Sequence, residues 1–584
     1  MVRTGLRLIF MSNPDPRVSA AKYFHAMASN NLQFDVIVIG AGINGAGIAR
    51  DAAMRGLKVL LLDKGDIGGG TSSWSTRLIH GGLRYLEHGE FRLVRESLRE
   101  RSCLLNICPH LVRPIPLLVP VYEKVRRGWW TIRAGMIAYD ALSFNKSLPN
   151  RSLPGHRMLS LAETLEQAPA LNRYGLLGAA VYFDAQVEFA ERLVLENVLS
   201  AVAHGATVLT YARVEKLLVE NAAVRGVEFA REFTRDDWCS SPTVLEGSGV
   251  MPGRAYAEIV INAAGPWVDQ VLTESNASCP RLIGGTKGSH IIVAPFPGAP
   301  ATAIYVEAET DGRPFFIIPW NGKYLIGTTD IRHEGDLDDV QISGDEIDYL
   351  LRETNRVFPI AKLTREQILY AYSGVRPLPF AGDKDAQSIT RRHFIRAHPK
   401  LRGLFSIVGG KLTTYRSLAE QTVDLILRQL PSHSDRSRFP RSLECTTNRD
   451  PLPGAATADF DTFCENFKQH SRLPEATNDR LLRIYGTRVS LLLNLIEKDA
   501  SLAQVFDSET GALAAEVVFA FTHELATTLG DCLLRRTMVG LNSSRGWAAV
   551  EAAGAIARKH LGWTEQRVEQ EIVAYRKEVV RFPS

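Results

Sequence analysis

The sequence predicts an α/β fold closed by a helical C-terminal domain, and three observations carry that prediction. A β-branched run over residues 34–39 stops at a glycine-rich turn and leads through an alanine-rich stretch into a second apolar run. Further strand-like runs recur between residues 205 and 440. Beyond a proline-containing stretch at 446–454, apolar residues return at helical spacing over 479–498, 513–529 and 547–560.

The elements follow in chain order. Residues 1–33 are expected to form a disordered extension or to reflect a misplaced start, since Arg3 and Arg7 flank an apolar run too short for a secretory signal, and Met11 and Met27 offer later starts. The run 34–39 reads FDVIVI and ends at Gly40-Ala41-Gly42-Ile43-Asn44-Gly45, a G-x-G-x-x-G turn. Gly40 permits the tight turn, Gly42 lets the backbone approach a pyrophosphate, and Gly45 lets helix and strand pack closely, while the helix N-terminus attracts the phosphate charge. Asp63 lies 18 positions past Gly45, at the end of the second apolar run, where a carboxylate accepts hydroxyl hydrogens of an adenosine ribose. The unit is therefore Rossmann-like. Its terminal acid argues against a 2′-phosphate and leaves both NAD and FAD open.

Composition sets the outer bounds. Apolar residues at 45% and charged residues at 23% indicate a folded protein, and at roughly 150 residues per domain the 584-residue chain holds two to four domains. Sixty-eight basic against 64 acidic residues leave +4, too slight an excess for nucleic-acid binding from charge alone. Seven cysteines without paired Cys-x-x-Cys spacing predict a reduced, cytoplasmic environment and no metal site. Nothing approaches the roughly 18–20 uninterrupted apolar residues of a membrane span, because even the run 115–122 is short and broken by prolines.

Past the β-α-β unit comes Thr71-Ser72-Ser73-Trp74-Ser75-Thr76-Arg77-Leu78-Ile79-His80-Gly81-Gly82-Leu83-Arg84-Tyr85-Leu86-Glu87. It is followed by Asn262-Ala263-Ala264-Gly265-Pro266-Trp267, Lys287-Gly288-Ser289-His290, Ile326-Gly327-Thr328-Thr329-Asp330, Tyr372-Ser373-Gly374-Val375-Arg376-Pro377-Leu378 and Gly409-Gly410-Lys411-Leu412-Thr413-Thr414-Tyr415-Arg416. In this order the segments resemble the FAD-dependent glycerol-3-phosphate dehydrogenases, the respiratory, quinone-linked enzymes. The resemblance covers about 34–420, with a weaker echo in Leu533-Leu534-Arg535-Arg536-Thr537. It implies a Rossmann-like FAD-binding domain interleaved with a mixed β-sheet substrate-binding domain over 34–440, a linker at 441–454 and a helical C-terminal domain over 455–584. Ser72, Thr76, Gly81 and Gly82 are expected on the pyrophosphate and flavin side, and Gly265 over the adenosine half. The backbone amides of Gly410, Lys411, Leu412 and Thr413 are expected to face the electron-rich N1–C2 edge of the reduced flavin.

The implied substrate, sn-glycerol 3-phosphate, requires cations for phosphate and a base for the carbinol proton. Arg84, Arg376 and Lys411 occupy the family's phosphate positions, with Tyr85 and Thr329 as neutral hydrogen-bonding partners. His290 is the candidate base and His80 its rival. Trp74 and Arg77 stand where the family pattern leads one to expect a small residue and a lysine. Arg391 and Arg392 read as solvated charge.

The segment 124–133, with Lys124, Arg126, Arg127 and Arg133 around Trp129 and Trp130, suits a bilayer interface. The expected protein is thus peripheral to the inner face of the cell membrane, passes electrons to quinone, and allows a homodimer. An oxidase returning electrons to oxygen is the alternative activity. A flavin-binding scaffold or sensor is disfavoured, because it has no need of a phosphate clamp beside the flavin.

Overall fold

The computed structural model describes residues 32–87, 89–123, 127–143, 153–233, 249–382, 389–430 and 444–580. Residues 1–31 of the expected extension, Lys124 and Arg126 of the basic segment, and 441–443 of the expected linker lie outside them. Leu32 and Gln33, assigned to the extension from sequence, instead pair in parallel with Ala255 and Tyr256.

The β-α-β unit builds a six-stranded sheet in the order Phe394–Ala397, Leu404–Val408, Ile259–Asn262, Val36–Ile39, Val59–Leu62, Thr207–Leu209. Every pairing is parallel except at the Phe394–Ala397 edge. Parallel strands covered on both faces read as unbroken apolar runs, which is why 36–39 and 59–62 show no polar alternation. The two-residue period still sorts them. Val36, Val38, Val59 and Leu61 pack with the helices Ile43–Met54, Ala190–Ala203 and Tyr415–Gln429. Ile37, Ile39, Leu60 and Leu62 pack against a smaller sheet of Ala212–Glu220, Ala223–Phe233 and Gly249–Tyr256. The alanines of Ile43–Met54 let neighbouring helices approach closely: a Cβ on Gly47 would lie 2.7 Å from the Tyr415 ring.

A ten-stranded mixed sheet is interleaved with the first along the chain. Its main path runs Ile331–Arg332, Thr286–Val293, Lys323–Gly327, Pro314–Trp320, Ala303–Glu307, Val112–Tyr122, Leu176–Val187, Leu78–Ile79, with Ile368–Arg376 beside Thr286–Val293. The helix Gly344–Val357 covers one face through Leu350, Leu351 and Val357. C-terminal residues Leu481, Tyr485, Leu492 and Phe519 cover the other, against Leu117, Ile318 and Tyr370.

The C-terminal part is helical, with boundaries that differ from the periodicity. The pattern at 479–498 is two helices, Glu475–Tyr485 and Val489–Lys498, broken where Gly486 adopts φ +55° and a Cβ would collide with the Gly454 carbonyl. The pattern at 513–529 yields a helix only over Ala514–His523. Phe460–His470 and Glu565–Val580 are helices the sequence reading missed, both polar enough that their apolar stripe is narrow. Within 444–454, Leu452 donates its amide to Ile107 and Gly454 donates to Glu196, so this stretch is pinned to the first sheet's helices.

Candidate functional site

The strand Val36–Ile39 must turn abruptly into its helix, and the geometry at the turn leaves no room for side chains. Gly40 sits at φ +102° with Ala263 O only 2.7 Å from where a Cβ would be, and a Cβ on Gly45 would collide with the Gly40 carbonyl. Asp63 accepts the amides of Ala41 (2.6 Å) and Gly65 (2.8 Å), which fixes its carboxylate at the end of the second strand. Burial pushes the Asp63 carboxyl above its ordinary pKa, against the pull of those two amides. Ser72 Oγ accepts from the Ile43 amide at 3.0 Å and thereby closes the 71–77 loop onto the helix N-terminus.

From this turn a cleft of about 830 Å³ extends between the two sheets. Gly42, Asn44, Asp63, Ser72, Thr76, Gly265 and residues 410–413 line it, as do His80, Tyr85, His290 and Arg376. Near the start of Tyr415–Gln429, the Gly409 amide is used by Pro377 O and the Thr414 amide by Lys411 O. Among the described residues, the four amides between them have no acceptor in the protein, a cradle for an electron-rich group beside a helix N-terminus. A Cβ on Gly410 would lie 2.7 Å from Asn44 Nδ2, and Asn44 Oδ1 is buried without a partner.

At the other end, the strand Ile368–Arg376 delivers Arg376 across Thr286–Val293. Its guanidinium donates to Asp330 Oδ1 (3.0 Å), Thr328 Oγ1 (2.9 Å) and Thr329 O (3.3 Å), and lies where any side chain on Gly288 would stand. Asp330 also holds Arg391 at 2.9 Å and Arg313 at 3.3 Å. Three guanidiniums around one carboxylate leave an excess of positive charge, and the arginines together pull the Asp330 carboxyl below its usual pKa despite burial. Arg391 therefore joins Arg376 and Arg313 around Asp330 and lines the cleft, contrary to its reading as solvated charge. Asp330 entered the sequence reading only as the last residue of the 326–330 motif, with no role given to it, and Arg313 was not singled out.

Lys411 projects its ammonium over the Tyr85 ring, 4.6 Å from the centroid, and that buried nitrogen has no hydrogen-bond partner. Burial lowers its pKa to about 8, partly offset by Glu96, Glu90 and Asp184. His290 Nε2 lies 2.9 Å from Thr76 Oγ1, its Nδ1 is buried and unpartnered, and its ring packs on Tyr372 with centroids 4.9 Å apart. Burial, Arg376 and Arg77 hold its pKa well below 6.5, so the imidazole is neutral. His80 is also neutral, pushed down to about 3 by burial and Lys411.

Several expected positions do not reach the cleft. Thr329 is buried with its hydroxyl donating to Glu346 (2.6 Å) and accepting from the Ser289 amide (2.9 Å), so it braces the Arg376 loop from behind. Arg84 faces a separate recess with Arg127, Tyr305 and Glu307. Gly81 gives its amide to Tyr139 OH (2.8 Å), and side chains on Gly81 or Gly82 would strike Leu98 or Tyr85, so both glycines serve packing. Ala41 and Gly45 support the turn from behind. Arg77 forms a two-pronged pair with Glu191 (2.8 and 2.7 Å), which anchors the 71–77 loop to the helix Ala190–Ala203.

A glycine turn with a ribose-type acid, a free-amide cradle and an arginine clamp beside neutral imidazoles defines a dinucleotide-dependent oxidoreductase. Residues 35–416 match the FAD dependent oxidoreductase family, and 445–568 match the C-terminal domain of alpha-glycerophosphate oxidase. A glycerol-3-phosphate dehydrogenase of Synechocystis is 46% identical over 93% of this chain and 96% of its own. The D-erythritol 1-phosphate dehydrogenase of Brucella abortus is 39% identical over 86% of this chain and 94% of its own. The crystal structure of the Bacillus halodurans glycerol-3-phosphate dehydrogenase complexed with FAD superposes with a TM-score of 0.73 at 27% identity, covering 96% of this chain and 98% of that one. The chain belongs to the FAD-dependent glycerol-3-phosphate dehydrogenase family, and its cofactor is FAD.

Proposed function

We propose that the protein oxidises sn-glycerol 3-phosphate to dihydroxyacetone phosphate and passes the electrons to membrane quinone. The observation that carries this reading is the juxtaposition of the Asp330-braced arginines and the unpartnered Lys411 with His290 in one cleft. When bound, FAD supplies the acceptor for the carbinol hydride. Gly40, Gly42 and Asp63 hold its adenosine and pyrophosphate half, and the 410–413 amides stabilise negative charge at the far end. Arg376 and Lys411 grip the phosphate, and Tyr85 sets the wall beside them. Neutral His290, whose Nε2 lies beside Thr76, takes the hydroxyl proton as the hydride leaves.

Anaerobic addition of sn-glycerol 3-phosphate to the purified protein tests the reading: the visible flavin absorbance should bleach and should return on adding a quinone analogue. Bleaching by D-erythritol 1-phosphate alone would move the substrate, and recovery with oxygen but not quinone would favour an oxidase.

Lys411 gives the reaction a pH dependence. Its charged form binds phosphate, and that form is lost as pH rises through about 8, so kcat/KM should fall on the alkaline side near there. Lys411→Arg should move that limb out of range. His290, already neutral, contributes no limb near its ordinary pKa.

Docking on the inner face of the cell membrane is proposed through the helix Trp129–Ser143. Trp130 is 72% and Ile137 54% exposed, with Arg133 and Ala134 on the same side of the helix. Two expectations change: Trp129 packs against Gly178, and Arg127 is paired with Glu87 and Glu307. Trp130→Ser with Ile137→Ser should therefore reduce sedimentation with anionic vesicles while leaving activity toward a soluble acceptor intact. Among the described residues, no helix is long and apolar enough to cross a membrane.

A further inference from the structure

The cleft does not end within the two sheets. Past Asp63 it is walled by residues 212–214, Trp267 and Glu274, and then by Arg535, Ala574, Lys577 and Glu578, which belong to the helical C-terminal part. Ala574, Lys577 and Glu578 stand at i, i+3 and i+4 on the helix Glu565–Val580 and so share one face.

Behind that wall lies a buried ion network. Arg535 donates to Asp66 Oδ2 (2.5 Å), Asp531 Oδ1 (3.1 Å) and Glu578 Oε1 (3.1 Å). Arg536 makes two further bonds to Asp66 (2.6 and 2.8 Å). Asp66 is in the same loop as Asp63, and Ala212 N donates to Asp63 O while Tyr211 N donates to Gly65 O. Tyr211 OH in turn donates to Asp531 at 2.6 Å. The loop that carries the ribose-type acid and the 211–212 segment beside it are thus tied to C-terminal residues through Asp66 and Tyr211. Removing one partner from such a network leaves an uncompensated buried charge.

We propose that Arg535 and the Glu565–Val580 helix form the adenosine wall of the FAD site, so that cofactor retention and seating of the C-terminal helices are one linked equilibrium. The proposal rests on the cleft holding FAD with its ribose at Asp63. A ligand that binds only the seated form stabilises that form, and loosening the wall speeds cofactor loss.

The test uses the purified holoenzyme and three variants. Ala574→Trp fills the cleft face while leaving every charged group of the ion network in place. Glu578→Gln weakens the bond to Arg535. Val573→Trp, at a neighbouring position 68% exposed and outside the cleft lining, is the control. Release of FAD on dilution, followed by flavin fluorescence, should accelerate about tenfold or more in Ala574→Trp and measurably in Glu578→Gln, and should stay at the wild-type rate in Val573→Trp. Tryptic cleavage after Arg576 and Lys577 should be slow in holoenzyme and should quicken in step with FAD loss. In Val573→Trp, outside the cleft lining, the rate of flavin reduction should remain native. Native release rates in both Ala574→Trp and Glu578→Gln, or cleavage indifferent to FAD, would overturn the proposal while leaving the FAD site itself intact. A wild-type protein without yellow chromophore would overturn the underlying reading.

Discussion

Arg77→Met should cost the folded protein about 3–5 kcal/mol, the penalty for stranding one member of a buried ion pair. Arg77 and Glu191 have side-chain exposures of 0% and 2%, and the guanidinium also donates to Ser73 O at 3.1 Å. Its backbone sits at φ +59°, so the bonds to Glu191 hold the 71–77 loop in a conformation that a non-glycine residue seldom adopts alone. Thermal unfolding of the holoenzyme checks this, with a lower midpoint expected for the single variant. Arg77→Met combined with Glu191→Leu should recover part of the loss, since no charge then remains unpaired. If the single variant melted with the wild type, the pair would not be what secures this loop.

Arg376→Lys should lower kcat/KM for sn-glycerol 3-phosphate by roughly one to two decades, because a charge-assisted bond is worth about 1.5–3 kcal/mol and an ammonium presents no planar fork. In the structure one terminal nitrogen is braced by Asp330 and the other by Thr328 and Thr329, and the flat group lies over Gly288. A lysine nitrogen can satisfy only part of that arrangement. FAD content should stay full, since the cofactor turn is built from other segments. Native kinetics at full FAD content would remove Arg376 from the phosphate clamp.

The cofactor turn was readable because its chemistry is local. Gly40, Gly45 and Asp63 fall within one β-α-β unit, and the reasons for each are steric or electrostatic over a few residues. The site at the other end was only partly readable. Arg376 stood out as a charge in an apolar strand, but Arg391 looked like surface charge because its partner, Asp330, is 61 residues away. Thr329 and Arg84 carried the right chemistry at motif positions. Their directions depend on Glu346 and on the Arg127–Tyr305 recess, which no local pattern encodes.

By itself, then, the sequence determined the α/β class, a dinucleotide-binding turn and the approximate place of the helical C-terminal part, since strand periodicity, glycine spacing and a terminal acid act within short stretches of chain, while its ordered motifs carried the resemblance to the family. Only the tertiary structure decided that Arg313, Arg376 and Arg391 share one carboxylate, that Gly81 and Gly82 serve packing, and that the C-terminal helices close the cleft beyond Asp63. The physical reason is that a buried charge is placed by whichever counter-charge the folded chain brings within about 3 Å, and for Asp66 that partner lies 469 residues downstream.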